Sequence, residues 1–139
     1  MNEEEVTNLV GPFRYLLDLP GFRVTTSFKA TDFPAKSVVL SDGDLSVHVE
    51  SDRGITAAQV SPAISPERWL PLSHLTRIVL RLDPAADVTF DESAQFLKSH
   101  FSTVLQMLSP ERIEETDRIV LQNGRDYFQT KGPGSIQDF

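Results

Sequence analysis

Three histidines, His48, His74 and His100, are the side chains best placed by type to ligate a metal or move a proton near neutral pH. None of them falls in an H-E-x-x-H arrangement, which would set two imidazoles on one helix face. His48, Glu50 and Asp52 alternate along one segment, and alternate residues of a strand share a face. Such a trio, with Arg53 beside it, could hold zinc or divide the roles of acid and base. The same residues also fill the polar phase opposite Leu45, Val47 and Val49, the ordinary pattern of a solvated antiparallel sheet face. Asp42-Gly43-Asp44 is too short for a calcium loop, which needs spaced ligands and a distal glutamate, and reads as a turn.

Other chemistries find less support. A G-x-S-x-G nucleophile elbow is absent, and the prominent serines sit where caps and turns are expected. The glycines are scattered and form neither a dinucleotide fingerprint nor a P-loop. The chain contains no cysteine, which excludes thiolate metal sites, disulfides and a cysteine nucleophile together. Carboxylates are plentiful at Asp83, Asp87, Asp91, Glu92, Glu114, Glu115 and Asp117. They lie at expected helix starts or surfaces, where they complement the helix dipole, and not at the paired positions of a glycosidase cleft. Their concentration makes the stretch from Asp83 to Asp117 a first candidate surface for a basic partner. Trp69, the single tryptophan, reads as a plug at the end of the core; the other role open to it is an interface anchor.

The elements that must position these groups follow from periodicity. A length of 139 residues suits one domain, and 40% hydrophobic with 24% charged residues is the composition of a folded globular chain. Apolar residues at helical spacing (Val6, Leu9, Val10, Phe13, Leu16, Leu17) predict a helix over 3–19, broken or kinked at Gly11-Pro12. Phe22, Val24, Thr26 and Phe28 alternate with polar residues and predict a half-buried strand. Further strands are expected at 37–40, 45–49 and, more weakly, 55–61. The turns are Ser41-Asp42-Gly43-Asp44 and Ser51-Asp52-Arg53-Gly54, the second read as a type I turn with a glycine bulge. Close succession makes the sheet an antiparallel meander of three to four strands.

The period then becomes helical. Ser65-Pro66-Glu67-Arg68 has the form of a helix start, and the same four residues recur at Ser109-Pro110-Glu111-Arg112. The first is expected to open a helix with Leu72, Leu75, Val79 and Leu82 inward, stopped by Asp83-Pro84. Thr89 and Glu92 form a capping box for a helix carrying Ala94, Leu97, Phe101, Val104, Leu105 and Leu108 on one face. The last helix turns Ile113, Val120 and Leu121 inward, with Tyr127 and Phe128 as further candidates. Asn123-Gly124 is able to cap it early. The order predicts an α+β domain over 1–130: an N-terminal helix, the sheet, then three helices packed on one sheet face. The tail, 131–139, is expected to be mobile.

Charge bounds the partners. The net charge of −7, from 13 basic and 20 acidic residues, disfavours a phosphate backbone and favours a basic protein surface. Three glutamates stand where a signal peptide carries a positive region, and no apolar run reaches the roughly 18 residues of a membrane span. A cytoplasmic protein without a cofactor is the expectation.

Gly21-Phe22-Arg23-Val24, Val38-Val39-Leu40, the Leu45 to Val49 run, Asp52-Arg53-Gly54 and Trp69 together resemble a pattern in small uncharacterised bacterial proteins. Some of these are similar to immunity proteins encoded beside polymorphic toxins. The resemblance spans about half the chain, from the first helix to Trp69. It implies a non-catalytic protein that binds and neutralises a cognate toxin, with no catalytic residues to transfer. The other functional class left open is a small enzyme or ligand-binding domain with a pocket between sheet and helices, built on His48, Glu50, Asp52 and Arg53.

Overall fold

A computed structural model describes residues 1–131. It is α+β, with an N-terminal helix, an antiparallel sheet and then helices. Helix α1 (Glu3–Val10) is capped by Asn2, whose Oδ1 accepts from the Glu5 amide at 2.8 Å. Three acids occupy its first turn, at the positive end of the dipole. Gly11, at φ 50°, ends it, and Pro12 opens a 3-10 helix (Gly11–Asp18) that buries Phe13 and Leu16 completely. The break expected at Gly11-Pro12 is therefore present.

The sheet has five strands in sequence order: β1 (Arg23–Lys29), β2 (Ala35–Ser41), β3 (Leu45–Asp52), β4 (Ile55–Pro62) and β5 (Leu70–Pro71). Asp42 Oδ1 accepts from the amides of Asp44 and Leu45, each at 2.9 Å, and fixes the β2–β3 turn. Between β3 and β4, Asp52 pairs directly with Ile55, and Arg53 and Gly54 both have positive φ (53° and 84°). This is a two-residue turn of type I′, not a type I turn with a bulge; its twist matches that of the strands it joins.

Strand β1 departs furthest from expectation. It is exposed along its whole length, not half-buried. A register shift between Val24 and Thr26 leaves Thr25 as a bulge. Val24 pairs with Leu40 on the core face, but Thr26 pairs with Val39 and Phe28 with Ser37 on the other. One extra residue moves every later side chain to the opposite face.

The two Ser-Pro-Glu-Arg segments also diverge. At 65–68 the chain makes a turn, with the Arg68 amide donating to the Ser65 carbonyl at 3.0 Å. The helix α2 (Leu72–Leu80) begins only after Pro71. Proline disfavours helical backbone at Leu70, which instead pairs with Val60 to make the fifth strand. At 109–112 no proline follows, and the turn runs into α5 (Ile113–Lys131).

Among the described residues the three helical segments expected after the sheet are present, the middle one as two helices. The capping box at Thr89 and Glu92 is present and opens α3 (Phe90–Ser99). The expected single helix breaks at His100 (φ −126°, ψ 31°), and α4 (Phe101–Met107) continues from it. Helix α5 passes through Asn123-Gly124 without a break. It packs on α2 as an outer layer, while α1, α2 and α3 cover the sheet. Leu82 and Leu121, expected inward, are exposed, because α2 ends at a left-handed Arg81 and because Thr116 and Val120 form the buried stripe of α5. Lys131 ends α5, and the rest of the expected tail, 132–139, lies outside the described residues. The core joins Val38, Leu40, Leu45, Val47, Val49 and Val60 of the sheet to Phe13, Leu16, Leu72, Leu75, Leu97 and Val104.

Candidate protein-docking face

The helices lie on one side of the sheet. The other side carries the residues that alternate with the core: Val39 of β2, His48, Glu50 and Asp52 of β3, Ile55, Ala57 and Gln59 of β4. Register places Val39, His48 and Gln59 in one row, and Ser37, Glu50 and Ala57 in the next. Each row runs across the strands, so polar and apolar groups interleave on a surface only one side chain deep.

One end of this face is roofed by the segment between β4 and β5. Ser61 is fully buried there, its hydroxyl donating toward the carbonyls of Pro62 and Ser65 at 3.2 Å each. Trp69 leaves that segment and sets its ring 5.5 Å from the His48 imidazole. Trp69 is half-buried on the open face and does not belong to the core cluster. His48 Nδ1 also lies 3.3 Å from Gln59 Oε1. No described segment covers the other end. Ile55 is 73% and Phe28 55% exposed. At the rim, Arg53 binds both oxygens of Asp52 (3.1 and 3.3 Å) and stands over the Phe33 ring at 5.8 Å.

The structure therefore brings His48, Glu50, Asp52, Arg53 and Trp69 onto one side of the sheet, spread in rows and not turned toward a common point. Among the described residues, no group of three or more histidine and carboxylate side chains is arranged to hold a metal ion. The clefts of about 290, 310 and 440 Å³ are lined by other residues.

The acidic candidates belong to the helical layer. Asp83 Oδ1 accepts from the Ala85 amide at 2.8 Å. Asp87 Oδ1 accepts from the Tyr127 hydroxyl at 3.1 Å. Glu92 accepts from the Thr89 amide at 3.1 Å in the capping box, and Asp91 stands in the same first helical turn. Glu114 (2.7 Å) and Asp117 (3.7 Å) pair with Arg68, and the Glu114 contact raises the arginine pKa. Among the described residues, each of these carboxylates except Asp91 has a hydrogen-bond or ion-pair partner.

One polar cluster was not legible in the sequence. Between α2 and α5, His74 Nδ1 lies 2.9 Å from both Asn123 Oδ1 and Arg77 Nη1. Arg77 is 5% exposed, donates from Nε to the Ala86 carbonyl at 2.6 Å, and stacks 4.5 Å from the Tyr127 ring centre. Burial lowers the His74 pKa; the Asn123 contact opposes this and the Arg77 charge adds to it. Burial likewise lowers the pKa of Arg77. This cluster fastens α5 to α2, and its one sequence signal is the three-residue step from His74 to Arg77 on a helix face.

The fold and this face define an α+β protein with a one-sided, helix-backed antiparallel sheet. Comparison with protein-family models, with curated proteins and with solved structures gives no match. No helix among the described residues is long and apolar enough to cross a membrane.

Proposed function

We propose that this chain is a non-catalytic protein-binding domain that docks a partner on the open face of its sheet. The supporting observation is the face itself: large apolar side chains at 73% and 55% exposure (Ile55, Phe28) stand beside Glu50 and Asp52, on a sheet whose helical side is buried in the core. Exposed apolar groups framed by charge are the composition of docking surfaces. Trp69, held half-buried at the edge of the bare region, has the character of an anchor. The partner we propose is a basic protein domain. Following the resemblance in the N-terminal half, it is a toxin that this chain neutralises by binding.

The test is co-expression with the product of the adjacent gene, for wild type, Ala57→Arg and Leu121→Arg. Ala57 is exposed on the open face, in the row of Glu50, and Leu121 is exposed on the outer helix. The reading expects a stoichiometric complex and loss of toxicity for wild type and L121R, and neither for A57R. An adjacent gene product that does not bind, or an A57R complex as tight as wild type, removes this reading.

A further inference from the structure

The two edges of the sheet are unlike. At one edge stands β5, only two residues long and ending in Pro71, which has no amide hydrogen to offer. At the other stands β1, seven residues long and exposed throughout. Ala30 donates to the Ala35 carbonyl at 2.9 Å directly across the β1–β2 turn. Hydrogen-bonded and non-bonded pairs alternate along an antiparallel ladder, so Phe28 and Thr26 point their backbone groups toward β2. The amides and carbonyls of Ser27 and Lys29 therefore point away from the sheet. No other described segment pairs with them.

Beneath this edge lies a groove of about 440 Å³ between β1, α1 and the 3-10 helix. Its apolar lining comes from Met1, Val6, Leu17 and Val24, with Glu3 and Ser27 beside them. A strand laid along β1 would drop alternate side chains into it. We propose that β1 accepts an extended segment of a partner protein as a sixth strand, with aliphatic side chains in the groove and an acidic residue opposite Arg23. Main-chain hydrogen bonds to Ser27 and Lys29 would hold the segment, and the groove would select its side chains.

Charge decides the occupant. Lys29 is already paired with Glu5 at 2.9 Å, whereas Arg23 makes no ion pair among the described residues. A second copy of this chain is disfavoured. Strand β1 carries two basic residues and no acidic one, so a second copy of it laid along this edge offers Arg23 no carboxylate in any register. This inference goes beyond docking on the open face, and it can fail while that reading stands.

The experiment is amide NMR titration with a short blocked peptide of alternating valine and threonine that ends in glutamate. Shift changes and exchange protection are expected at Ser27 and Lys29. The same peptide with lysine for glutamate should bind roughly threefold more weakly. Ser27→Pro removes an outward amide without touching the β2 ladder, so it should keep the fold and weaken the peptide about tenfold. Should S27P lose its fold, a peptide N-methylated at alternate amides supplies the same comparison on wild type, and it should not bind. The idea is overturned if either change leaves affinity intact, if the lysine peptide binds equally well, if the shifts map to the open face away from β1, or if no binding is seen. A57R should leave the peptide affinity unchanged, which separates this edge from the face.

Discussion

Gly124→Ala should make this protein more stable, and the sign is informative. Glycine inside a helix costs about 1 kcal/mol relative to alanine, because its unfolded backbone is freer. Gly124 lies within α5, seven residues before its end, and is not among the residues of positive φ. A methyl there would meet Cε1 and Nε2 of His74 at 3.7 Å, an ordinary van der Waals distance. The propensity gain is therefore not offset by a clash, and the expected change is a stabilisation of about 0.5–1 kcal/mol. For a chain of this size that raises Tm by roughly 2–5 °C. Urea denaturation followed by circular dichroism would measure it at unchanged m-value. A loss of stability would refute the reasoning. It would mean that Gly124 holds a left-handed backbone and that α5 stops at Asn123-Gly124, as the dipeptide alone signals.

Three further outcomes are expected. Leu40→Ala removes a fully buried side chain from the centre of the sheet and should cost about 2–5 kcal/mol, while Ile55→Ala, at 73% exposure, should stay within about 0.5 kcal/mol in the same assay. His74 has a lowered pKa, so protons favour the unfolded chain; its stability contribution is complete above the ordinary value of 6.5 and is lost as pH falls through the lowered folded value. Stability measured from pH 7 downward should therefore fall more steeply for wild type than for His74→Gln.

The fold class was legible because its signals are periodic and local. Core positions on β3, the Gly11-Pro12 break and the capping box at Thr89 and Glu92 each rest on residues close in sequence. What escaped was non-local or depended on one residue. The Thr25 bulge inverts the faces of β1, and nothing in Val24-Thr25-Thr26 announces it; only the pairing with β2 does. Pro71 overrides a well-formed helix start five residues earlier. The packing of α5 on α2, and with it the His74–Asn123 contact, joins residues 49 positions apart. Of the candidate site, the face shared by His48, Glu50 and Asp52 follows from alternation, but the placement of Trp69 over His48 needs the roofing segment.

The acidic stretch and the open face make different demands on a basic partner, and one comparison separates them. Glu92 gives its carboxylate to a helix cap. A partner at that site would have to compete with the Thr89 amide, so recruiting the charge would cost the cap. Glu50 has no hydrogen bond or ion pair among the described residues, and a partner cation there displaces only water. Long-range attraction between opposite charges acts chiefly on the association rate, and salt screens it beyond roughly 8 Å at physiological strength. If the partner docks on the open face, Glu50→Gln should slow association with the basic partner by roughly two- to fivefold at low salt, with the difference fading as salt rises. Glu92→Ala should lower thermal stability by about 0.5–1 kcal/mol and leave the association rate unchanged. Stopped-flow association across a salt series measures both. A rate that responds to E92A and ignores E50Q would place the partner on the helical layer instead.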